Sequence, residues 1–113
     1  MGPSSGADGI PAHALLIVCL QRRRQEAVRL AVLELLDAAP AYKAPAHVLR
    51  DTLADAGLGM PLDDLATQLA WLADAELIEL QAGGGIAVLR MAGADVAHGL
   101  KTVDGVQRPQ PAA

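Results

Sequence analysis

Between Val28 and Leu36 the apolar residues fall at Val28, Ala31, Val32, Leu35 and Leu36, while Arg29, Glu34 and Asp37 are interspersed. At 100° per residue the apolar set occupies one arc about 140° wide, so the spacing predicts an amphipathic helix ending near Pro40. Projected backwards, the same helix places Arg24 inside that arc, a poor position for an unpaired charge, so close packing should begin near Glu26. Leu15, Cys19, Leu30 and Leu33 then align roughly opposite the first stripe. A second apolar stripe on a small domain reads either as a subunit contact or as a first stretch folded back as a short helix of its own.

Pro45 is placed to open a second helix, since a missing N–H is harmless in the first turn; Val48, Leu49, Leu53 and Ala56 would supply its buried side. Gly57 suits a left-handed cap, and Pro61 opens a third helix with Asp63 and Asp64 at its positive end. Leu62, Leu65, Leu69 and Leu72 form the inward stripe there; Thr67, Gln68, Trp71 and Asp74 face elsewhere. Two helices joined by a short Gly-containing turn make a helix-turn-helix candidate. Beyond it, Leu77–Gln81 alternates as a strand does, Ala82–Gly85 is a glycine-rich turn, and Ile86–Arg90 is a second strand. A short helix over Ala92–Leu100 follows.

This order predicts a mainly α fold with a small β-hairpin: a winged helix-turn-helix of three helices, a two-stranded wing and a short C-terminal helix. Residues 1–12, rich in Gly, Ser and Pro, read as a flexible arm; residues 13–101 form the domain with its N-terminal helical extension. Residues 102–113, which hold Pro109 and Pro111, read as a tail.

Composition narrows the chemistry. The 113 residues include 23 Ala, 18 Leu and only two aromatics, Tyr42 and Trp71, too few for an aromatic-lined pocket or a base-stacking surface. The longest apolar run, Ala14–Leu20, falls well short of a membrane span, and its arginines follow it where a signal peptide would place them first. A single cysteine, Cys19, with His13, His47 and His98 widely separated, shows no metal-ligand spacing; no metal and no cofactor are expected, and a cytoplasmic setting is. Gly83–Gly85 lacks the Lys-Ser/Thr of a phosphate loop, and the adjacent Asp63 and Asp64 diverge by about 100° on a helix, so no catalysis is expected.

The chain carries 9 basic and 13 acidic residues, net −4. From Asp51 to Leu89 there are seven acids and no Lys or Arg, a block of −7 over the third helix and the wing. Six of the nine bases precede it.

Leu69-Ala-Trp-Leu-Ala-Asp-Ala-Glu-Leu-Ile78, followed by the Gly-rich hairpin, resembles the third helix and wing of bacterial winged-helix regulators of the ArsR-like type. Ala92–Leu100 with Thr102-Val-Asp-Gly-Val-Gln-Arg-Pro109 is similar to the end of a family of small winged-helix proteins encoded in Mu-like phages and prophages. The resemblance spans roughly Leu20 to Pro111 and implies a phage or prophage transcriptional regulator acting in the bacterial host cytoplasm. Two departures stand out. Glu76 occupies a position where such proteins place Gly, and the metal-sensing cysteine pairs of ArsR-type sensors are absent.

Under this resemblance the expected partner is double-stranded DNA bound by a homodimer. Thr67, Gln68 and Trp71 would read it from the third helix, and Arg22, Arg23, Arg24, Lys43 and Arg50 would hold phosphates. Leu15, Cys19, Leu30 and Leu33 are the expected dimer contact. Each residue also has a plainer assignment: the arginines as a solvated patch, Trp71 as bulk beneath the wing strands. The acidic block supports an alternative function, a winged helix for protein association with a phage or host protein and no DNA.

Overall fold

A 27-residue helix, α1 (Ala12–Ala38), organises the chain, which the computed structural model describes over residues 11–110. Pro11 stands at its N-cap. The expected arm of residues 1–12 lies outside the described residues except for Pro11 and Ala12, and Ala12 is already helical. After a 3₁₀ turn at Pro40–Tyr42 come β1 (Lys43–Pro45), α2 (Ala46–Asp55), α3 (Leu62–Asp74), β2 (Ile78–Gln81), β3 (Ile86–Leu89) and α4 (Met91–Ala97). The result is a compact, mainly α domain of four helices and one small antiparallel sheet.

The sheet has three strands, in the order β1-β3-β2, where the hairpin pattern predicts two. Lys43 pairs with Val88 and Pro45 with Ile86, while Ile78 pairs with Leu89 and Gln81 with Ile86. β1 is an edge strand, which tolerates Pro45 because no further strand needs its N–H. Pro45 and Pro61 serve as N-caps of α2 and α3, one residue outside the helices they were expected to open.

The core gathers Val28, Val32, Leu33 and Leu36 of α1 with Leu49, Leu53, Leu65, Leu69, Leu72, Leu77, Ile78, Ala87 and Val96. α1 is central: α2, α3, β3 and α4 all pack against its C-terminal half. This overturns part of the expected dimer contact. Leu30 and Leu33 are buried inside the domain because α1 is covered on more than one side, so a stripe opposite the first one is also internal. Leu15 and Cys19 are exposed on the N-terminal half, which continues α1 without a break and does not fold back. Three expected core residues lie at the rim instead, Val48, Ala56 and Leu62, all more than one-third exposed.

Two local conformations fix how the hairpin joins the helices. Glu76 adopts φ +62°, so the left-handed cap after α3 is kept with a non-glycine residue, and the Leu77 N–H reaches back to the Leu72 carbonyl at 3.0 Å. Gly93 of α4 packs so tightly that a Cβ there would overlap the Leu77 carbonyl oxygen and meet Leu89 Cδ1 at 2.8 Å. α4 therefore lies directly on the start of β2.

The C-terminal segment also departs from expectation. Val106 is buried, Val103 packs on the core, and the Gln107 N–H donates to the Glu26 carbonyl of α1 at 3.2 Å. Residues 102–109 are a strap across α1 and α3 and not a free tail, because two valines three residues apart give it an apolar side to bury.

Candidate functional site

The residues expected to read DNA do not share one surface. Thr67 is exposed, and its Oγ1 donates to the Asp63 carbonyl one turn earlier at 3.3 Å. Gln68 is only 8% exposed and faces α1. There Arg29 Nε donates to Gln68 Oε1 at 2.7 Å, and Arg29 Nη1 donates to the Gly105 carbonyl of the strap at 2.9 Å. The same guanidinium lies over the Trp71 ring, 4.0 Å from its centroid. Trp71 is half-buried in this cluster, against Arg29 and Gly105.

The cluster is a latch between α1, α3 and the strap. Arg29 spends two donors on two acceptors and its flat face on an aromatic ring, a combination that a planar guanidinium can supply and an ammonium cannot. Burial pushes the Arg29 pKa below its ordinary value, partly offset by Glu26, and the guanidinium stays charged nonetheless. Gly105 has φ +95°, and a Cβ at that position would meet Trp71 Cζ2 at 2.6 Å and Arg29 Nη1 at 3.2 Å. Its lack of a side chain lets the strap lie against the ring. Gln68 and Trp71 are thereby committed to holding the domain together, which removes them from base readout in this conformation.

Arg24 is engaged as well. Its Nη2 donates to the Gly59 carbonyl at 2.6 Å and its Nη1 to the Gly57 carbonyl at 3.5 Å, tying α1 to the α2–α3 turn. The two glycines leave carbonyls at the end of α2 without helical partners, and the guanidinium meets them. The backward projection of α1 placed this arginine on the packed face; the carbonyls are what make that position acceptable. Arg22 and Arg23 are exposed on the same helical turn, Lys43 is exposed on β1, and Arg50 pairs with its neighbour Asp51 at 3.2 Å.

Between α1 and the start of α3 lies an open groove of about 490 Å³, lined by residues including Arg24, Gln25, Met60, Asp64 and Thr67. Arg24 and Thr67 therefore border one depression, but Asp64 stands with them. The outer face of α3 carries Asp63, Ala66, Thr67, Ala70 and Asp74, all exposed. No cation lies on it, nor on the hairpin tip from Gln81 to Gly85. A smaller depression on the opposite end of α1 is lined by Tyr42, Arg90, Met91 and the hydrogen-bonded pair of His98 Nε2 and Asp37 Oδ2, 2.8 Å apart.

Among the described residues no three His, Cys, Asp or Glu side chains gather as metal ligands, and no helix is long and apolar enough to cross a membrane. No protein-family model matches this chain, and comparison with curated proteins and with solved structures gives no significant match.

Proposed function

We propose that the chain is a winged-helix-type domain whose exposed α3 face takes a protein surface and not DNA. The winged-helix reading draws on the element order: α2 and α3 joined by a tight turn, then a hairpin whose second strand is flanked by β1 in the order β1-β3-β2. The protein reading is carried by one observation, the outer face of α3. Two carboxylates, Asp63 and Asp74, bound a strip of Ala66, Thr67 and Ala70. DNA affinity that does not depend on sequence comes from cations that displace counterions from phosphate, and this strip offers the opposite sign. A strip of small side chains between carboxylates suits a close-fitting protein surface with a basic rim. The resemblance of the sequence to Mu-like phage proteins makes a phage or host protein in the bacterial cytoplasm the proposed partner class.

A low-salt titration with fluorescent duplex DNA tests this reading. Binding should be weaker than about 10⁻⁴ M, the weak end of ordinary non-specific affinity. Micromolar binding that falls steeply with salt and is lost in Arg22→Ala/Arg23→Ala would overturn it.

That outcome would favour the second reading, a DNA-binding phage or prophage regulator. One observation supports it: Arg24 reaches the α2–α3 turn, which sets this cationic turn of α1 beside the helix pair, with Arg23 about 100° and Arg22 about 200° round the helix from Arg24. In that case Arg22, Arg23, Lys43 and Thr67 remain available for contact, whereas Arg24, Gln68 and Trp71 would first have to leave their internal partners.

A further inference from the structure

The N-terminal half of α1 extends beyond the domain, and none of residues 12–25 is buried. Leu15, Leu16, Ile17, Val18 and Leu20 are between 49% and 67% exposed, and at 100° per residue they surround the helix. A helix apolar on all sides is stable in water only when it is covered. We propose that this projecting segment is a self-association element, covered by the same segment of a second copy in antiparallel orientation. The proposal is independent of what α3 takes, since it concerns a different surface.

Area favours further copies of the same segment, and charge sets their orientation. At half to two-thirds exposure, the five side chains present on the order of 500 Å² per copy; a two-fold contact that covers half of this surface in each copy buries about 500 Å², and a four-helix arrangement that covers all of it in four copies buries about 2,000 Å², within the range of specific interfaces. Arg22, Arg23 and Arg24 directly follow the apolar segment. A parallel pair would set the two triplets side by side, six like charges at contact distance. An antiparallel pair centred between Ile17 and Val18 sets Leu15 against Leu20 and Leu16 against Cys19. It also moves the triplets about 16 Å apart along the axis, beyond the Debye length of ~8 Å at physiological salt. The two globular bodies then lie at opposite ends of the pair without competing for space. One partner covers about half of a side-chain collar that runs all the way round, and two such pairs packed as four helices would cover the rest.

Sedimentation equilibrium on the full chain at about 10–100 μM tests the proposal. The expected mass is two or four times the 11.6 kDa of one chain. Leu16→Glu/Leu20→Glu should reduce it to one chain with an unchanged urea midpoint of the domain read through Trp71, because neither side chain contributes to the core. A wild-type chain that sediments as a monomer would overturn the proposal, as would a double variant that keeps the wild-type mass. A monomer that also pelleted with anionic phosphatidylglycerol vesicles would assign the segment to a lipid surface instead. Orientation is read in a Cys19→Ser background. Mixing His13→Cys chains with Arg22→Cys chains should yield the mixed disulfide, and disulfides formed only between like chains would refute the antiparallel arrangement.

Discussion

Replacing Arg29 with Met removes the hub of the latch while keeping most of its volume. Gln68 Oε1, in a side chain only 8% exposed, loses its 2.7 Å donor, and the Gly105 carbonyl loses its 2.9 Å donor. An acceptor left unsatisfied in a buried position costs about 1–3 kcal/mol, and the stacked cation contributes about 0.5–1 kcal/mol more. Partial solvent access at the strap and relaxation of Gln68 reduce the sum, so a loss of about 2–3 kcal/mol is expected, or roughly 10–15 °C in Tm for a domain of this size. Urea denaturation followed through the fluorescence of Trp71, the sole tryptophan, reads both the stability and the exposure of the ring. Gln68→Leu in the Arg29→Met background should return part of the loss, since it removes the stranded acceptor; the double-mutant cycle isolates the pair. Single-variant losses below about 0.5 kcal/mol, or strictly additive effects, would refute the latch as a source of stability.

Three further substitutions probe the backbone positions on which the packing depends. Gly105→Ala sets a Cβ against Trp71 at φ +95° and should undock the strap, red-shifting tryptophan emission and destabilising the domain by about 2–3 kcal/mol in the same urea assay. Glu76→Gly should stabilise it by about 0.5–1 kcal/mol, because relief of left-handed strain at φ +62° outweighs the added freedom of the unfolded chain; a lower Tm would contradict the cap geometry. Gly93→Ala drives a methyl group into the Leu77 carbonyl and should cost more than about 2 kcal/mol, with loss of α4 protection in amide hydrogen exchange as its signature.

The helices and the hairpin were legible because their burial follows a period. Val28, Val32 and Leu36, like Leu65, Leu69 and Leu72, recur at the spacing of one helical face and are all buried. β1 was not legible: three residues, one of them proline, cannot show an alternation, and the strand exists only because β3 offers a free edge. The second stripe on α1 misled for a geometric reason, since a helix covered on several sides buries Leu30 and Leu33 as readily as Leu36. Gln68 and Trp71 looked outward because an amphipathic projection assigns polar and bulky residues off the leucine stripe to solvent. It takes no account of an arginine on a neighbouring helix that can satisfy both. The strap left a faint signal in Val103 and Val106 flanking Gly105, easily lost among polar residues and prolines. The −7 block, by contrast, was fully visible in the sequence, and the structure added that its Asp63 and Asp74 share the outer face of α3.

That acidic face is what turns α3 away from DNA, and the salt dependence of DNA binding by the wild-type chain beside Asp63→Lys/Asp74→Lys tests this most directly. The prediction is no wild-type binding at ~50 mM salt, and in the variant a new, salt-sensitive affinity as two repulsive charges become attractive. Tight wild-type binding that the double lysine variant leaves unchanged would show that DNA is held without reference to the α3 face, contradicting the central claim.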